Sequence, residues 1–430
     1  MGGGGVEGGG RARAPHPQVQ GIPHAPRPGR ELPQRARRVR HAACLRPPPW
    51  GRNPWAAGTR PPHQNSPRRS SGGMPRRSLG PRRGREAGRG AVDPSLAALL
   101  AGAGYDGRGC RARALPGGFA NAVWAVEGLS EGGHRRCVAK VFSELSRRRA
   151  PGGDASWGDV ALQRAGAGAL GARLLHASPG GVLHEWLPGR GLSQESLLDE
   201  PLLASVSKQI ARLHKTPVPP RARARLWKWL SAMGGVAHAA GDAAAEEVGG
   251  REPSWVELER EAAWAEGIAT RMALPLLFCH GDLKPDNILH VKDTAGSNGP
   301  PDIRFIDLEL AGPNPRGFDI AKLFRPGADC PQLASTSLNF EGPELESTLR
   351  KFAVHYCSHL GDIVPECLVL EVEALLPLTW LEACIFFKAS LSLETCLERQ
   401  ERLRQLLEHR WECYIRTREA LPRCASELLR

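Results

Sequence analysis

The chain has 430 residues and a formal net charge of +13 at pH 7, but this charge is unevenly distributed. Residues 1–90 contain 19 Arg, no Lys and three acidic residues, which gives this segment about +16 and leaves the other 340 residues at about −3. The high pI therefore belongs to one segment, and the remaining chain is not basic enough to bind nucleic acid by charge alone.

Residues 1–90 predict a disordered leader. They are rich in Gly and Pro and contain only seven Leu, Ile, Val or Phe residues, too few to form a packed core. Three interpretations stay open for this segment: an inert solvated extension, an organelle transit peptide, or an arm that binds RNA. It has no apolar stretch of the kind found in secretory signals, so secretion is not expected.

Short β-like runs follow the leader and predict a small antiparallel lobe. Asp93 is placed to cap a helix that runs to about Ala103. A helix over 160–175, ending near Gly171, precedes a last strand that stops at Pro188 and Gly189. The predicted strands are 111–115, 122–126, 136–142 and 181–187.

Helical periodicity dominates the second half of the chain. Apolar residues at helical spacing predict a helix over 198–214, and mostly helical structure is expected from residue 345 onward. The apolar run 374–387 is interrupted by Pro377 and Glu382 and is too short to cross a membrane, so we expect a buried helix there. The other predicted elements are a helix at 254–270, a hairpin of strands 287–291 and 303–306, and helices at 378–397 and 399–420.

The order of these elements predicts the fold. A β-rich lobe over 91–187 is followed by a helical lobe over 188–430. This order indicates the α+β class and a bilobal, protein-kinase-like architecture, with a small antiparallel N-lobe and a larger helical C-lobe. The leader, residues 1–90, precedes both lobes.

The number and spacing of the eleven cysteines predict that they are free thiols. They form no C-x-x-C pair and are odd in number, which argues against a disulfide framework. Scattered thiols in a chain of this size favour a reducing compartment, so we expect the cytoplasm, or an organelle if the leader is a transit peptide.

The segment 280–287 carries the strongest chemical signal. It has the pattern H-x-D-x-x-x-x-N, and a predicted strand ending in Ile306 and Asp307 follows about twenty residues later. Together these patterns predict kinase-like phosphoryl transfer, in which the loop Asp orients and deprotonates an acceptor hydroxyl. We predict that Asp282 is the catalytic base, worth about 10²- to 10⁴-fold in rate, and that His280 is a second catalytic residue.

Asn287 and Asp307 are the predicted Mg²⁺ ligands. Mg²⁺ keeps several waters and needs only one or two protein oxygens beside the phosphates of a nucleotide. A single Asp at a strand end is often satisfied by backbone N–H groups, but the pair at this spacing favours a metal. ATP and Mg²⁺ are therefore the expected cofactors.

Two further segments are candidates for binding the nucleotide. Residues 115–121 lie between predicted strands, and Gly117 and Gly118 there can bring backbone amides close to phosphates, although a plain hairpin turn fits nearly as well. Lys140 lies on the third strand with apolar neighbours and is expected to reach the α- and β-phosphates. Asp159 is the nearest acid that can pair with Lys140.

These residues together resemble the choline/ethanolamine kinase family, within the aminoglycoside-phosphotransferase-like kinases, over about residues 110–326. The most specific stretch is 305–320, which is similar to the family pattern I-D-F-E-Y-A-G-x-N-x-R-G-F-D-I. Residues 115–121 are similar to the G-G-x-x-N nucleotide loop of the family, which adds Asn121 to the nucleotide-binding candidates.

The resemblance implies a five-stranded N-lobe, ATP and Mg²⁺ as cofactors, and an amino alcohol as the acceptor. It also implies a role for individual residues. These are Asp282 as base, Asn287 and Asp307 as Mg²⁺ ligands, the hinge residues Glu185 to Leu187 as backbone contacts of adenine, Glu309 beside the metal or the acceptor, and Asp319 as a brace of the catalytic loop.

The chain departs from the family pattern on the acceptor side. Leu308 and Leu310 stand where the family has aromatic residues, and Arg325 stands close to where the family has an acid. A quaternary ammonium is normally held by aromatic faces and carboxylates. Trp380 is our candidate ring for this contact, with packing in the core as the alternative.

The sequence therefore predicts an ATP- and Mg²⁺-dependent kinase that phosphorylates the hydroxyl of choline or ethanolamine, by resemblance the first step of phospholipid head-group synthesis. The alternatives are a kinase for an aminoglycoside- or sugar-type acceptor, a non-catalytic kinase-like binding protein, and RNA binding through the leader. Lys284-Pro285 also occurs in protein kinases, but no G-x-G-x-x-G, D-F-G or A-P-E motif accompanies it. No membrane span is expected, and an oligomer is compatible with the sequence.

Overall fold

The computed structural model describes residues 93–105, 109–115, 120–129, 136–149, 156–240, 252–291, 300–325 and 343–430. The predicted leader over 1–90 lies outside this part of the chain, and so do Gly117 and Gly118.

A five-stranded antiparallel sheet forms the first lobe, as predicted. The elements are α1 Pro94–Gly102, β1 Arg111–Ala114, β2 Asn121–Glu127, β3 Arg136–Phe142, α2 Glu144–Arg149, α3 Trp157–Arg164, β4 Leu174–Ser178 and β5 Gly181–Glu185. The strands lie in the order β1-β2-β3-β5-β4. Helix α1 begins at the predicted cap, where the Asp93 carboxylate accepts hydrogen bonds from the N–H groups of Ser95 and Leu96. Its apolar side chains pack with those of the sheet in a separate small core.

The predicted helix over 160–175 is wrong in its second half. Helix α3 ends at Arg164, and the chain then turns and forms β4, which the sequence analysis missed. Gly166 adopts φ +71°, a left-handed conformation that favours glycine and ends the helix. The apolar residues that extended the helical pattern belong instead to an edge strand paired with β5.

The second lobe is mainly helical and contains two small sheets. The β6-β8-β9 sheet includes the predicted hairpin, and β7 pairs with β10. Its elements are β6 Gly189–Gly191, α4 Glu200–His214, α5 Arg225–Ala240, α6 Trp255–Met272, β7 Leu276–Cys279, β8 Ile288–Val291, β9 Asp302–Phe305, β10 Gly312–Pro315, α7 Arg316–Phe324, α8 Pro343–Leu360, α9 Pro365–Leu391, α10 Leu397–Thr417 and α11 Ala420–Leu428.

Helix α9 is the centre of the second lobe. It contacts α7, α10, α11, α5 and α8, and most of its side chains from Leu368 to Ala389 are buried. The predicted helix over 378–397 begins too late and ends too late, because α9 continues through Pro377 and stops at Leu391. A proline removes one backbone hydrogen bond from a helix, so the packing on several sides must compensate for this loss.

Helix α5 was not predicted, because Gly and Ala dominate its second half. Its buried residues nevertheless follow a helical period, with Leu226, Trp229, Leu230 and Met233 at successive spacings of three, one and three. Tertiary packing thus stabilises a helix that contains two adjacent glycines.

The predicted absence of a disulfide framework is confirmed in the described part of the chain, where nine cysteines are free thiols. Of the helices described, none combines the length and hydrophobicity needed to cross a membrane.

Gly181→Ala tests the close approach of β5 to β3. A Cβ at this position would lie 2.3 Å from the carbonyl oxygen of Lys140, so the strands must separate locally. We expect a loss of about 1–3 kcal/mol in the free energy of unfolding, measured by urea denaturation. The matched control is Gly180→Ala, whose Cβ meets only the Ser178 hydroxyl at 3.7 Å. Equal stability of the two variants would contradict the packing described.

Candidate active site

The loop that follows β7 is tied to the strand end after β9 by His280. Its Nδ1 accepts a hydrogen bond from the N–H of Asp282 at 3.3 Å, so Nε2 carries the proton that is donated to the carbonyl of Ile306 at 2.9 Å. His280 is completely buried. The prediction that it is a catalytic residue is therefore wrong, because a buried ring cannot contact an acceptor. Its role is to position the loop.

The carboxylate of Asp319, on α7, holds the same loop from the other side. It accepts hydrogen bonds from the N–H of His280 at 2.5 Å and of Gly281 at 2.8 Å, which confirms the predicted brace. His214 contacts the carboxylate at 3.2 Å and is itself held by the Tyr356 hydroxyl at 2.7 Å. Burial alone would raise the pKa of Asp319, but the hydrogen bonds from His214 and the loop outweigh it and lower the pKa.

Gly281 allows the loop to turn directly against Leu310, in the segment that follows Asp307. It has φ +82°, and a Cβ there would lie 2.3 Å from the carbonyl oxygen of Leu310. Only glycine fits both the backbone conformation and the contact. The turn brings the next residue, Asp282, to the edge of the cleft between the lobes.

Asp282, the predicted base, has a charged and oriented carboxylate. Asn287 donates to Oδ2 at 3.1 Å, and the Lys322 ammonium lies 3.1 Å from Oδ1. Burial opposes ionisation, but the positive charges of Lys322 and Lys284 hold the pKa of Asp282 well below its usual range. The side chain is still 30% exposed, so an acceptor hydroxyl can reach it.

Lys322 has a role in the site that was not predicted from the sequence. This residue lies on α7 three positions after Asp319, is almost fully buried, and also pairs with Glu382 of α9 at 2.9 Å. The sequence did offer one signal for this role: Lys322 lies in a mostly apolar helix that already contains Asp319. Lysines are rarely buried unless they are paired.

Asn287 and Asp307 line the same wall of the cleft, as predicted. The amide NH₂ of Asn287 donates to the carbonyl and the carboxylate of Asp282, which leaves its amide oxygen as the atom that can bind a metal. Asp307 adopts φ +65° at the end of β9, and its side chain is 36% exposed. One amide oxygen and one carboxylate are hard donors of the kind that Mg²⁺ prefers, so the residues fit this ion.

Lys140 pairs with different acids from the one predicted. Its ammonium lies 2.5 Å from Asp307 Oδ1 and 2.6 Å from Glu309 Oε2. Burial would lower the pKa of Lys140, but these two carboxylates raise it. Asp159 instead contacts the ring of His184 at 3.1 Å, so its predicted pairing with Lys140 is wrong, although it does line the cleft.

Asn121 also has a role that the sequence did not indicate. Its amide NH₂ donates to Glu309 at 3.0 Å, and its amide oxygen accepts from the N–H of Ser143 at 3.1 Å. The side chain thus connects the start of β2 to Glu309 and to the end of β3. Its predicted direct contact with nucleotide stays a prediction, and so does that of Gly117 and Gly118, which lie outside the described residues.

The cleft between the sheet and the helical lobe has a volume of about 620 Å³. The predicted hinge residues Glu185 and Leu187 line it, together with Lys140, Asn287 and Asp307. Most of the remaining wall is apolar, which suits a nucleobase. The apolar residues of the wall include Leu115, Val123, Val138, Phe142, Val182, Leu289 and Phe305.

Trp380 does not face the cleft. It is 1% exposed, and the guanidinium groups of Arg325 and Arg410 lie 4.7 and 5.1 Å from the centre of its ring. The ring therefore binds cations of the protein itself. The predicted contact with the acceptor is wrong, and Trp380 packs in the core.

A model of the family described as choline/ethanolamine kinase matches residues 154–381. The chain belongs to the choline/ethanolamine kinase family. The match includes the loop 280–287, both predicted metal ligands and the brace on α7, all within the geometry described above.

Individual members of the choline/ethanolamine kinase family are distant from this chain. Choline kinase A2 of Caenorhabditis elegans is 27% identical over 188 residues, which is 36% of this chain and 42% of that protein. Ethanolamine kinase 2 of Rattus norvegicus is 27% identical over 150 residues, 34% of this chain and 35% of that protein. The chain thus matches less than half the length of these relatives.

Solved structures of the family share the fold. An ethanolamine kinase of Plasmodium vivax has a TM-score of 0.55 and 15% identity, covering 70% of this chain and 82% of that one. A choline kinase of Cryptosporidium parvum has a TM-score of 0.52 and 17% identity, covering 73% and 90%. The bilobal protein-kinase-like fold predicted from the sequence is confirmed.

Asp319→Asn tests the brace. An amide has only one acceptor oxygen for the two N–H groups, so we expect a loss of about 3 kcal/mol in the free energy of unfolding at pH 7. Because the pKa of Asp319 is lowered on folding, its contribution is present above the unfolded pKa of about 3.9. The difference in the free energy of unfolding between the wild type and Asp319→Asn should therefore shrink as the pH falls below about 4.

Denaturation of both proteins between pH 7 and pH 3.5 measures this difference. Asp302→Asn is the control, because its ion pair with Arg304 is partly exposed and should contribute less than about 1 kcal/mol. A difference for Asp319→Asn that grows on acidification would contradict the account.

Proposed function

We propose that this protein is an ATP- and Mg²⁺-dependent kinase that phosphorylates the hydroxyl of an amino alcohol, choline or ethanolamine. The observation that carries the proposal is the arrangement of one cleft wall. Asn287, Asp307 and Lys140 line the cleft, and Asp282 is hydrogen-bonded to Asn287 beside it. Membership of the choline/ethanolamine kinase family supports the acceptor class.

Each group has a task in phosphoryl transfer. The apolar part of the cleft receives the nucleobase, and Lys140 neutralises charge on the phosphates. Asn287 and Asp307 would hold Mg²⁺, which would supply positive charge to the phosphates of the nucleotide. Asp282 orients the acceptor hydroxyl and takes its proton as the hydroxyl oxygen bonds to the γ-phosphorus and the bond to ADP breaks.

Lys322 and Asn287 keep Asp282 in the orientation needed for this step. Because both contacts stabilise the carboxylate form, Asp282 is a weak base in the ground state and acts mainly by orientation. This agrees with a loose transition state, in which the hydroxyl loses its proton late.

One observation favours a second class of acceptor, a hydroxylated molecule that carries no positive charge. Groups that could bind a cationic acceptor already bind cations of the protein. Asp282 and Glu382 share Lys322, and the ring of Trp380 is covered by Arg325 and Arg410. A sugar-type acceptor would avoid repulsion from these groups.

A screen of acceptors tests the proposal. The full chain with Mg-ATP is assayed for ADP release with choline, ethanolamine, sugars and aminoglycosides. We expect turnover with choline or ethanolamine at least about tenfold above the ATPase background. Turnover with sugars alone would select the second class, and turnover with aminoglycosides alone would contradict an amino alcohol as the acceptor. No turnover with any acceptor would contradict a kinase function.

Asp282→Asn tests the assignment of the base. We expect kcat to fall by about 10²- to 10⁴-fold, whereas the affinity for Mg-ADP, measured by calorimetry, should change little because Asp282 is placed on the acceptor side. Asp302→Asn, on the surface end of β9, is the matched control and should retain kcat. An unchanged kcat in Asp282→Asn would remove this residue from the mechanism.

We also propose the cytoplasm as the location, with an organelle as the alternative if the leader is a transit peptide. The nine free thiols among the described residues support this proposal, since such thiols are common in reducing compartments. Detection of the tagged full chain in cell fractions would test it.

A further inference from the structure

The acid partner of Lys140 comes from an unexpected place in the fold. Strand-borne kinase lysines are usually fixed by an acid from the helix that follows their strand. In the described residues between β3 and β4, the acids are Glu144 and Asp159. Glu144 pairs with Arg148, and Asp159 contacts His184. Both acids thus bind other partners, and Lys140 turns to the segment after β9.

Two carboxylates of that segment share the ammonium, and they differ in exposure. The side chain of Asp307 is 36% exposed, whereas that of Glu309 is 11% exposed. Asp307 can therefore exchange Lys140 for a metal ion, while Glu309 lies deeper and can keep its contact with the lysine.

Glu309 is itself fixed from both lobes. The Asn121 amide on β2 donates to its carboxylate at 3.0 Å, and Asn121 is held by the N–H of Ser143. The carbonyl of Glu309 accepts from the Arg225 guanidinium at 3.5 Å. A carboxylate fixed in this way can hold an ammonium at a defined place in the cleft.

We propose that Glu309 is the positioning residue for Lys140, and that its hold on the lysine frees Asp307 to bind the metal. The proposal rests on the nucleotide and metal site proposed above. It assigns to Glu309 a task that acts through Lys140, in place of a direct contact with the metal or the acceptor. Without Glu309, the lysine and the metal would compete for the single carboxylate of Asp307.

Binding of ADP with and without Mg²⁺ tests the proposal, measured by calorimetry on the full chain. Glu309→Gln keeps the size of the side chain and removes its charge. We expect it to weaken Mg-ADP binding about tenfold, which is about 1.4 kcal/mol, and to change the affinity for ADP in EDTA by less than about threefold. The proposal would be overturned if the affinities for Mg-ADP and for ADP in EDTA fell to the same extent, or if neither changed.

A double-mutant cycle with Lys140→Met separates positioning from direct ligation. If Glu309 acts through the lysine, Glu309→Gln should change the Mg-ADP affinity less than about twofold in the Lys140→Met background. If Glu309 binds the metal itself, the tenfold loss should persist there, and the proposal fails. Asp159→Asn is the matched control in the same cleft, and its effect should be additive with that of Lys140→Met.

Asn121→Ala is a second test of the proposal that does not depend on the folding of Glu309→Gln. It leaves all charges in place and removes the side chain that links Glu309 to the N–H of Ser143, so we expect a smaller, selective loss of about threefold for Mg-ADP. An Asn121→Ala protein that folds, by circular dichroism, and binds Mg-ADP like the wild type would contradict the positioning chain.

The outcomes also separate this inference from the proposed function. If the wild type does not bind Mg-ADP at all, both fail. If the wild type binds Mg-ADP but Glu309→Gln and Lys140→Met are additive, only the positioning role fails.

Discussion

The carboxylate of Asp319 is the constraint on which the active-site geometry depends. It accepts hydrogen bonds from two consecutive N–H groups, those of His280 and Gly281, at the point where the chain leaves β7. The same turn is closed by the His280 ring on the carbonyl of Ile306. Because these contacts are buried, they are strong and leave the loop little freedom. These contacts therefore set the position of Asp282 relative to β9 and the residues that follow it.

Two buried lysines give the cleft its electrostatic design. Lys140 lies between Asp307 and Glu309 on the nucleotide side, and Lys322 lies between Asp282 and Glu382 on the acceptor side. Each ammonium lies between two carboxylates and reduces the repulsion between them. In the proposed function, a metal-nucleotide complex would replace part of the first set of contacts, whereas the second set keeps the Asp282 carboxylate oriented.

The sequence predicted those parts of the site that depend on local spacing. The loop 280–287 and the strand end at Asp307 could be found because the chemistry fixes their separation along the chain. The partner of Lys140 could not, since Glu309 is 169 positions away and only the packing of two lobes brings it closer than Asp159. The predicted roles of His280 and Trp380 were wrong because both side chains are buried, and burial depends on tertiary contacts that the sequence does not show. In the fold, strong periodicity located α4. The Gly- and Ala-rich second half of α5 concealed that helix, and the apolar residues of β4 extended the helical pattern of α3, so both depend on packing.

The most direct test of the account is the binding of Mn²⁺, a paramagnetic substitute for Mg²⁺, in the presence of ADP. Electron paramagnetic resonance of the full chain measures the free ion at each total concentration. We expect the wild type to bind Mn²⁺ with ADP, and Asp307→Asn and Asn287→Leu each to weaken that binding at least about tenfold, while ADP alone still binds. Unchanged Mn²⁺ affinity in both variants would contradict the claim that these two residues hold the metal in the cleft.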